Sequence, residues 1–305
     1  MNPPFLTAET LLLLLPEMLL VALATAVLVG GAFLADRSLW NVVALAGMAL
    51  VGLALWRQGS PLAEIAARAD GGLLVDQFAL TLRWTAWTAG FLFVLVAWGA
   101  ASDDLAADYL GSLLLLVAGL MVVCSAGDLV LLFMGLELIS IPTYILLFLG
   151  RRDAASHEAT TKYFFLSMLS SGLLLYGFSF LYGIAGSTDL ATIAAHLAEG
   201  GLVGASSSAG LAMLLPLAML LIVAGIGFRM TAVPFHFYAP DVYQGTTAGN
   251  AGLLAVVPKI AAVVVLVRLV AALPGSEQFG WRVLLGISIA TMTLGNTLAL
   301  WQRKA

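Results

Sequence analysis

The sequence predicts an all-α protein that crosses a membrane about nine times, and three observations lead to this fold class. Apolar residues make up 62% of the 305-residue chain and charged residues only 10%, whereas soluble domains are typically about 45–50% apolar and about 25% charged. The mean hydropathy is +1.05. The apolar residues also form runs of about 20, the length that an α-helix needs to cross the hydrocarbon core. We therefore expect one polytopic transmembrane helical bundle rather than two soluble domains.

Nine apolar runs are long enough to be crossings. They cover residues 11–34, 39–57, 75–99, 108–125, 128–149, 158–183, 211–238, 251–273 and 281–302. The first ten residues contain no Lys or Arg, so they lack the basic start of a signal peptide and the first run is expected to stay as a helix. Two connections are long, 58–74 and 184–210. In the second, Leu190, Ile193 and Leu197 have helical spacing, which predicts a short surface helix.

Charge and composition exclude several function classes. The net charge of −4 leaves no basic surface for nucleic acid. Cys124 is the single cysteine, so an internal disulfide is impossible. The sequence shows no Gly-rich phosphate loop, cysteine cluster or zinc-type histidine pair, and its three histidines stand on separate segments, which does not support a haem. No cofactor bound by this chain is expected.

Basic residues in the loops give only a weak indication of orientation. With the N-terminus outside, five basic residues would lie inside and four outside, namely Arg37, Arg151, Arg152, Arg303 and Lys304 against Arg57, Arg68, Arg268 and Arg282. The positive-inside bias favours this orientation by one residue, which decides nothing alone.

Four ionisable residues lie within predicted crossings, on four consecutive segments: Glu137, Lys162, Arg229 and Lys259. Ionisable groups at mid-membrane cost about 2.5–3.5 kcal/mol each on insertion scales, so each is a functional hypothesis by default. If these helices pack together, one acid and three bases form a polar axis typical of a proton path. The alternative is a set of structural ion pairs, or side chains that snorkel to the surface, and it is strongest for Lys162 near a helix end.

Other charged residues have simpler explanations. Asp76 and Arg83 stand at the start of the third crossing and can pair or snorkel. Glu17 follows Pro16 near the start of the first crossing and can face a partner subunit. Asp128 is expected at the membrane interface.

The seventh crossing is predicted to be a broken helix. Residues 211–240 are longer than one crossing needs, and they include Gly225, Gly227, Pro234 and Pro240. A proline removes a backbone donor and clashes with the preceding turn, and interrupted helices mark binding sites in transporters. Arg229 and His236 stand on either side of the expected break. An imidazole can exchange protons near neutral pH, although a packing histidine is an equal alternative.

Long stretches of the chain resemble the antiporter-like subunits of NADH-quinone oxidoreductase, respiratory complex I. The run GIGFRMTAVPFHFYAPDVYQG is similar to their broken helix, and its DVYQG ending is closest to the subunit N group. The stretch that starts LELISIPTYILLFLGRRDAASHEATTKYFF and the ending LGNTLALWQRKA resemble the same group. The resemblance is strong over about 110–305 and weak over the first three helices.

The resemblance implies a proton-translocating membrane subunit with specific residue roles. The family's fifth-helix acid falls on Glu137, and its sixth-, seventh- and eighth-helix bases fall on Lys162, Arg229 and Lys259. Arg229 departs from the family, which usually has Lys there. An arginine stays protonated, so Arg229 is expected to act as an electrostatic lever on Glu137, or in a locked pair with it, rather than as a relay.

The resemblance also implies a domain organisation. Residues 1–107 would hold the first three helices, 108–280 one antiporter-like five-helix unit, and 281–305 the start of a second unit. Family members have about fourteen helices, because an inverted second unit repeats the first. The chain is therefore expected to be a fragment or the product of a split gene, and to be incomplete as a channel alone.

Partners, cofactors and location follow from the same resemblance. The expected partners are other membrane subunits of complex I and the lipid bilayer. NADH, flavin, iron–sulfur clusters and quinone would be bound elsewhere in the complex, and the location would be the bacterial inner membrane with a periplasmic N-terminus. Two alternatives stay open: a subunit of a multi-subunit cation/proton antiporter or membrane-bound hydrogenase, and a structural membrane subunit that conducts nothing.

Overall fold

The computed structural model of the chain describes residues 8–58, 72–74, 76–99, 102–151, 153–198, 208–272 and 277–301. These ranges contain α-helices, one 3₁₀ turn and no β-strand, which confirms the predicted fold class. The helices are α1 (Ala8–Leu13), α2 (Leu15–Gly31), α3 (Arg37–Gln58), α4 (Gln77–Val96), α5 (Ala106–Ser125), α6 (Leu129–Gly150), α7 (Ala154–Ala185), α8 (Leu190–Ala198), α9 (Ser208–Met230), α10 (Ala239–Gly245), α11 (Ala248–Ala272) and α12 (Glu277–Trp301).

Each of the nine predicted crossings contains a helix in the described part of the chain, although residues 231–238 of the seventh crossing are not helical. Six helices, α3 to α7 and α11, are long and apolar enough to cross a membrane, while α2 and residues 214–230 of α9 form shorter apolar helices. The short surface helix predicted near Leu190 is α8. Four residues of the charge count, Arg68, Arg152, Arg303 and Lys304, lie outside the described residues.

Aspartate side chains start several of these helices. Asp76 accepts a hydrogen bond from the backbone N–H of Ala79 at 2.6 Å, and Asp128 accepts one from Val130 at 2.7 Å. The backbone N–H of Ser156 donates to Asp153 and is the main reason that the pKa of Asp153 lies below its usual value. Such caps satisfy N–H groups that have no partner within the helix. Asp76, which was expected to pair with Arg83 or to snorkel, is therefore a helix cap.

The chain divides into two compact units. One comprises Met1–Thr161 and Val242–Ala261, and the other comprises Lys162–Asp241 and Ala262–Ala305.

Helix α5 is the centre of the first unit, where it packs against α2, α4 and α6. It is buried along nearly its whole length, which is why it carries apolar residues on every side. Gly119 lets α6 approach closely, because a β-carbon there would lie 2.9 Å from the backbone oxygen of Gly135 and the backbone nitrogen of Ile139. This contact fixes the part of α6 that contains Glu137.

In the second unit, α7 and α9 pack through small residues. A β-carbon at Gly225 would lie 2.9 Å from the backbone oxygen of Ser170. A β-carbon at Gly177 would lie 3.0 Å from the backbone oxygen of Ala218. The Ser170 hydroxyl also donates a hydrogen bond to the Gly225 carbonyl at 2.8 Å. Small residues with hydroxyl hydrogen bonds are the usual means by which membrane helices associate.

Candidate functional site

Glu137 lies in the middle of α6 and is half-buried. Pro142 follows five residues later and has no N–H to donate to the Leu138 carbonyl, so one bond of the helix is lost directly after Glu137. The hydroxyls of Ser140 and Thr143 donate to carbonyls one turn earlier, at 2.8 and 2.7 Å. The acid therefore lies at mid-crossing, as predicted, on a helix whose backbone is locally altered.

Lys259 lies in the middle of α11, directly after Pro258. The proline cannot donate to the Leu254 carbonyl, and the ammonium group of Lys259 takes that position with an Nζ–O distance of 2.9 Å. Its second hydrogen bond goes to the Tyr243 hydroxyl at 3.1 Å. Nζ also lies 5.7 Å from the centroid of the Tyr243 ring, within the range of a cation–π contact. The lysine is thus held at mid-helix by uncharged partners.

The predicted break is present between α9 and α10. Thr231 has φ of +56°, a left-handed conformation that is unusual for a β-branched residue. The Phe228 carbonyl at the end of α9 accepts hydrogen bonds from the Thr231 N–H at 3.0 Å and the Tyr238 hydroxyl at 2.9 Å. The Val233–Pro234 peptide bond is cis.

The break starts directly after Met230, whereas the two glycines before it are helical. Gly225 and Gly227 were expected to contribute to it, but both lie within α9, which continues to Met230. A glycine that packs tightly against a neighbouring helix weakens the isolated helix without ending it.

Arg229 lies in the last turn of α9 and is buried. Its Nη2 donates a hydrogen bond to the Ser171 hydroxyl on α7 at 3.0 Å. An arginine stays charged in this position, so a fixed positive charge lies beside the break.

Lys162 forms an ion pair with Asp241. The distance from Nζ to Oδ2 is 2.7 Å, and the two side chains are 42% and 56% exposed. Asp241 lies in the first turn of α10, where a negative charge also interacts well with the helix dipole.

His236 lies in the turn between α9 and α10 and is half-buried. Within the described residues, its buried Nδ1 atom has no hydrogen-bond partner.

The five predicted residues divide between the two units. Glu137 and Lys259 belong to the first unit, and Lys162, Arg229 and His236 belong to the second.

Sequence reasoning missed three of the contacting residues: Asp241, Tyr243 and Ser171. The first two lie in the DVYQG run, directly after Pro240, where a polar cluster follows a predicted break. Their place directly after the break could have identified Asp241 and Tyr243 as candidate site residues. Ser171 gave no comparable signal, because serine is common in membrane helices.

Comparison with known families tests the resemblance. The family described as NADH:quinone oxidoreductase/Mrp antiporter, TM, matches residues 126–305. The chain belongs to this family. The matched range contains all five predicted site residues.

Curated relatives of the antiporter family agree with this assignment. NADH-quinone oxidoreductase subunit N from Azorhizobium caulinodans is 35% identical over 294 residues, which are 95% of this chain and 59% of the relative. Subunit N from Rhodospirillum rubrum is 37% identical over 300 residues, which are 94% of this chain and 58% of the relative. The chain therefore spans about three fifths of the length of these relatives, whereas the identity extends over nearly all of its own length.

Two solved structures share the fold of the chain. A chain of respiratory complex I from Thermus thermophilus, solved with bound aureothin, has a TM-score of 0.74 at 27% identity and covers 95% of this chain and 59% of its own length. A chain of the membrane-bound sulfane sulfur reductase, an archaeal respiratory membrane complex, has a TM-score of 0.75 at 22% identity, with 94% of this chain and 57% of its own length covered. At that identity the second likeness shows the fold alone.

A buried ion pair lies in the first unit, before the range that the antiporter family matches. Arg83 Nη2 lies 2.7 Å from Glu17 Oε2, and the two side chains are 2% and 4% exposed. Arg83 also donates to the Leu13 carbonyl at 2.9 Å. Pro16 has no N–H to donate to the Leu12 carbonyl. The Gln58 side chain donates a hydrogen bond to that carbonyl instead, at 2.6 Å. Glu17 was expected to face a partner subunit and Arg83 to pair with Asp76 or snorkel; both expectations are wrong, because the two side chains pair with each other.

The predicted location of Arg268 is also wrong. The charge count placed it in an exterior loop, but it lies inside α11 and is only 6% exposed. The predicted crossing 251–273 already contained this residue, and a long helix can continue past a buried arginine when the surrounding protein satisfies it.

Proposed function

We propose that the chain is a membrane subunit of a proton-pumping NADH:quinone oxidoreductase and moves protons across the membrane while quinone is reduced elsewhere in the complex. Family membership and the subunit N relatives support this role. In this proposal the five-helix unit is residues 108–280, and the proton path includes Glu137, Lys162, Arg229, Lys259 and His236.

The observation that carries the proposal is the setting of Lys259. A lysine at mid-crossing is costly, and a purely structural lysine would be expected to pair with a carboxylate. Among the described residues its hydrogen-bond partners are instead the Tyr243 hydroxyl and the Leu254 carbonyl. A buried lysine can be neutralised, and neutral partners tolerate both of its protonation states. This is the environment that a proton carrier needs.

The test is proton pumping by the assembled complex with Lys259 replaced. Lys259→Ala should lower acidification of inverted membrane vesicles during NADH oxidation by about tenfold or more, since a proton-transferring side chain contributes at least that much. Lys259→Arg should be nearly as poor, because its charge stays but its proton does not leave.

The matched control is Arg57→Ala, which removes an exposed cation at the end of α3. It should pump like the parent at equal assembly. Parental pumping by Lys259→Arg would identify Lys259 as a fixed charge and would contradict the proposal.

The alternative function is a subunit of a cation/proton antiporter or a membrane-bound hydrogenase. The solved Mrp complex from Dietzia sp. DQ12-45-1b has the same fold, with a TM-score of 0.73 at 20% identity, which shows the fold alone. The names of the curated relatives favour the oxidoreductase. Vesicles whose acidification follows a sodium gradient and not NADH would favour the antiporter.

The proposal includes partners, cofactors and location. The partners are other membrane subunits of the complex, within the lipid bilayer. NADH, flavin, iron–sulfur clusters and quinone would be bound outside this chain, which contributes no redox centre of its own. The bacterial relatives support the inner membrane as the location.

A further inference from the structure

Tyr243 lies where it can exchange a proton with Lys259. Its hydroxyl is 3.1 Å from Lys259 Nζ, and its ring faces the ammonium group with a centroid distance of 5.7 Å. Tyr243 is half-buried on the short helix α10. The hydroxyl is thus in hydrogen-bond contact with the lysine while part of the side chain stays accessible.

The two partners of Lys259 differ in what they can do. A backbone carbonyl, as at Leu254, only accepts hydrogen bonds. A phenol both accepts and donates, so the Tyr243 hydroxyl can accept from the ammonium form of Lys259 and donate to its neutral amine. Among the described partners of Lys259, the tyrosine is therefore the one whose hydrogen bond can reverse direction when the proton leaves.

The position of Tyr243 is fixed by packing of α10. A β-carbon at Gly245 would lie 2.4 Å from the β-carbon of Ala159 and 2.9 Å from the backbone oxygen of Ala155, so α10 ends in direct contact with α7. Val242 beside the tyrosine is fully buried. A side chain between these anchors is held in place, as proton transfer over one hydrogen bond requires.

We propose that Tyr243 is a proton-relay residue that passes protons between Lys259 and water. For release, one N–H bond of the Lys259 ammonium breaks as a new O–H bond forms on Tyr243, whose original O–H bond breaks as that proton goes to a water molecule. The amine and the phenol end neutral, and hydronium carries the charge. Loading is the reverse. No electrons are exchanged. This inference rests on the proposed function and assigns the immediate proton partner of Lys259.

The test is Tyr243→Phe in the assembled complex, measured as NADH-driven acidification of inverted membrane vesicles. The variant keeps the ring, and so the packing and the cation–π contact, but removes the hydroxyl. Pumping should fall by about tenfold or more, because a positioned proton-transfer group contributes about 10²–10⁴-fold.

The matched control is Tyr109→Phe. It removes another buried phenol hydroxyl of the same unit, which donates to Asn250 Oδ1 at 2.5 Å. The control should pump like the parent.

The reference variant Lys259→Ala separates failure of the inference from failure of the proposed function. If Lys259→Ala abolishes pumping and Tyr243→Phe pumps like the parent, the relay is wrong and the proposed function stands. If Lys259→Ala itself pumps normally, the proposed function fails.

A second variant covers the case in which Tyr243→Phe does not assemble. Replacement of Tyr243 by 3,5-difluorotyrosine keeps the ring and the hydroxyl but makes the phenol more acidic. A relay hydroxyl should then shift the pH profile of pumping toward lower pH, because the phenol gives up its proton more readily. A purely structural tyrosine would leave that profile unchanged, and an unchanged profile overturns the inference.

Discussion

Removing one partner of the buried Glu17–Arg83 pair should destabilise the chain far more than removing both. In Arg83→Leu the Glu17 carboxylate, whose side chain is 4% exposed, loses its cation, and the Leu13 carbonyl loses a donor. Breaking a buried pair in this way costs about 3–5 kcal/mol. In Glu17→Leu the guanidinium is left uncompensated instead, and a similar loss is expected. A loss of about 3 kcal/mol lowers the folded-to-unfolded ratio by roughly 150-fold, because about 1.4 kcal/mol corresponds to a tenfold change.

The double variant Glu17→Leu with Arg83→Leu should recover most of that stability. Replacement of a buried ion pair by apolar residues of similar size is often neutral or stabilising. Gln58 still donates to the Leu13 carbonyl at 3.3 Å, so that carbonyl keeps one partner. We expect the double variant to lie within about 1 kcal/mol of the parent.

The measurement is the free energy of unfolding of the purified full chain in mixed micelles, followed by loss of helical circular dichroism. The control is Arg37→Leu, which removes a surface pair whose side chains are 45% and 67% exposed and should cost at most about 1 kcal/mol. Additive losses in the double variant, or single losses no larger than that of Arg37→Leu, would refute the reasoning.

Two further predictions concern the proton path. Glu137→Gln removes the mid-crossing acid at nearly constant size, so NADH-driven acidification should fall about tenfold or more with the complex assembled; normal pumping in an assembled variant would exclude Glu137 from the path. Arg229→Lys keeps the positive charge and should retain most pumping, whereas Arg229→Ala should lose it. Ser171→Ala is the control for Arg229, because an equal loss there would attribute the effect of Arg229→Ala to its hydrogen bond with Ser171.

The crossings were predictable because hydropathy reports one physical condition, the cost of placing polar groups in lipid. That cost requires apolar runs of membrane length, and each of the nine predicted runs contains a helix in the described part of the chain. It also makes isolated charges stand out, which is how Glu137 and Lys259 were found at mid-helix. The broken helix followed from Pro234 and Pro240, since a proline leaves a backbone carbonyl without its donor.

Pairing was not predictable from the same information. Glu17 and Arg83 are 66 residues apart in the chain, and Lys162 and Asp241 are 79 apart. Which of these charges meet depends on how each helix is rotated and which neighbour it packs against, and hydropathy reports neither. Arg83 was expected to pair with Asp76 or to snorkel, but the side chain that it meets, Glu17, lies on another helix.

The proline before Lys259 limits how far the lysine can move. Pro258 leaves the Leu254 carbonyl without its helical donor, and the ammonium group occupies that position. A carbonyl without a hydrogen bond at this depth costs several kcal/mol. Movement of the lysine away from Leu254 would leave that carbonyl without a donor and would therefore cost this free energy. Its neutral amine still has N–H bonds to donate, so it can stay in place after deprotonation. In the proposed path Lys259 would therefore be a proton carrier that stays in place, so that protons and water reach it and any moving groups belong to its surroundings.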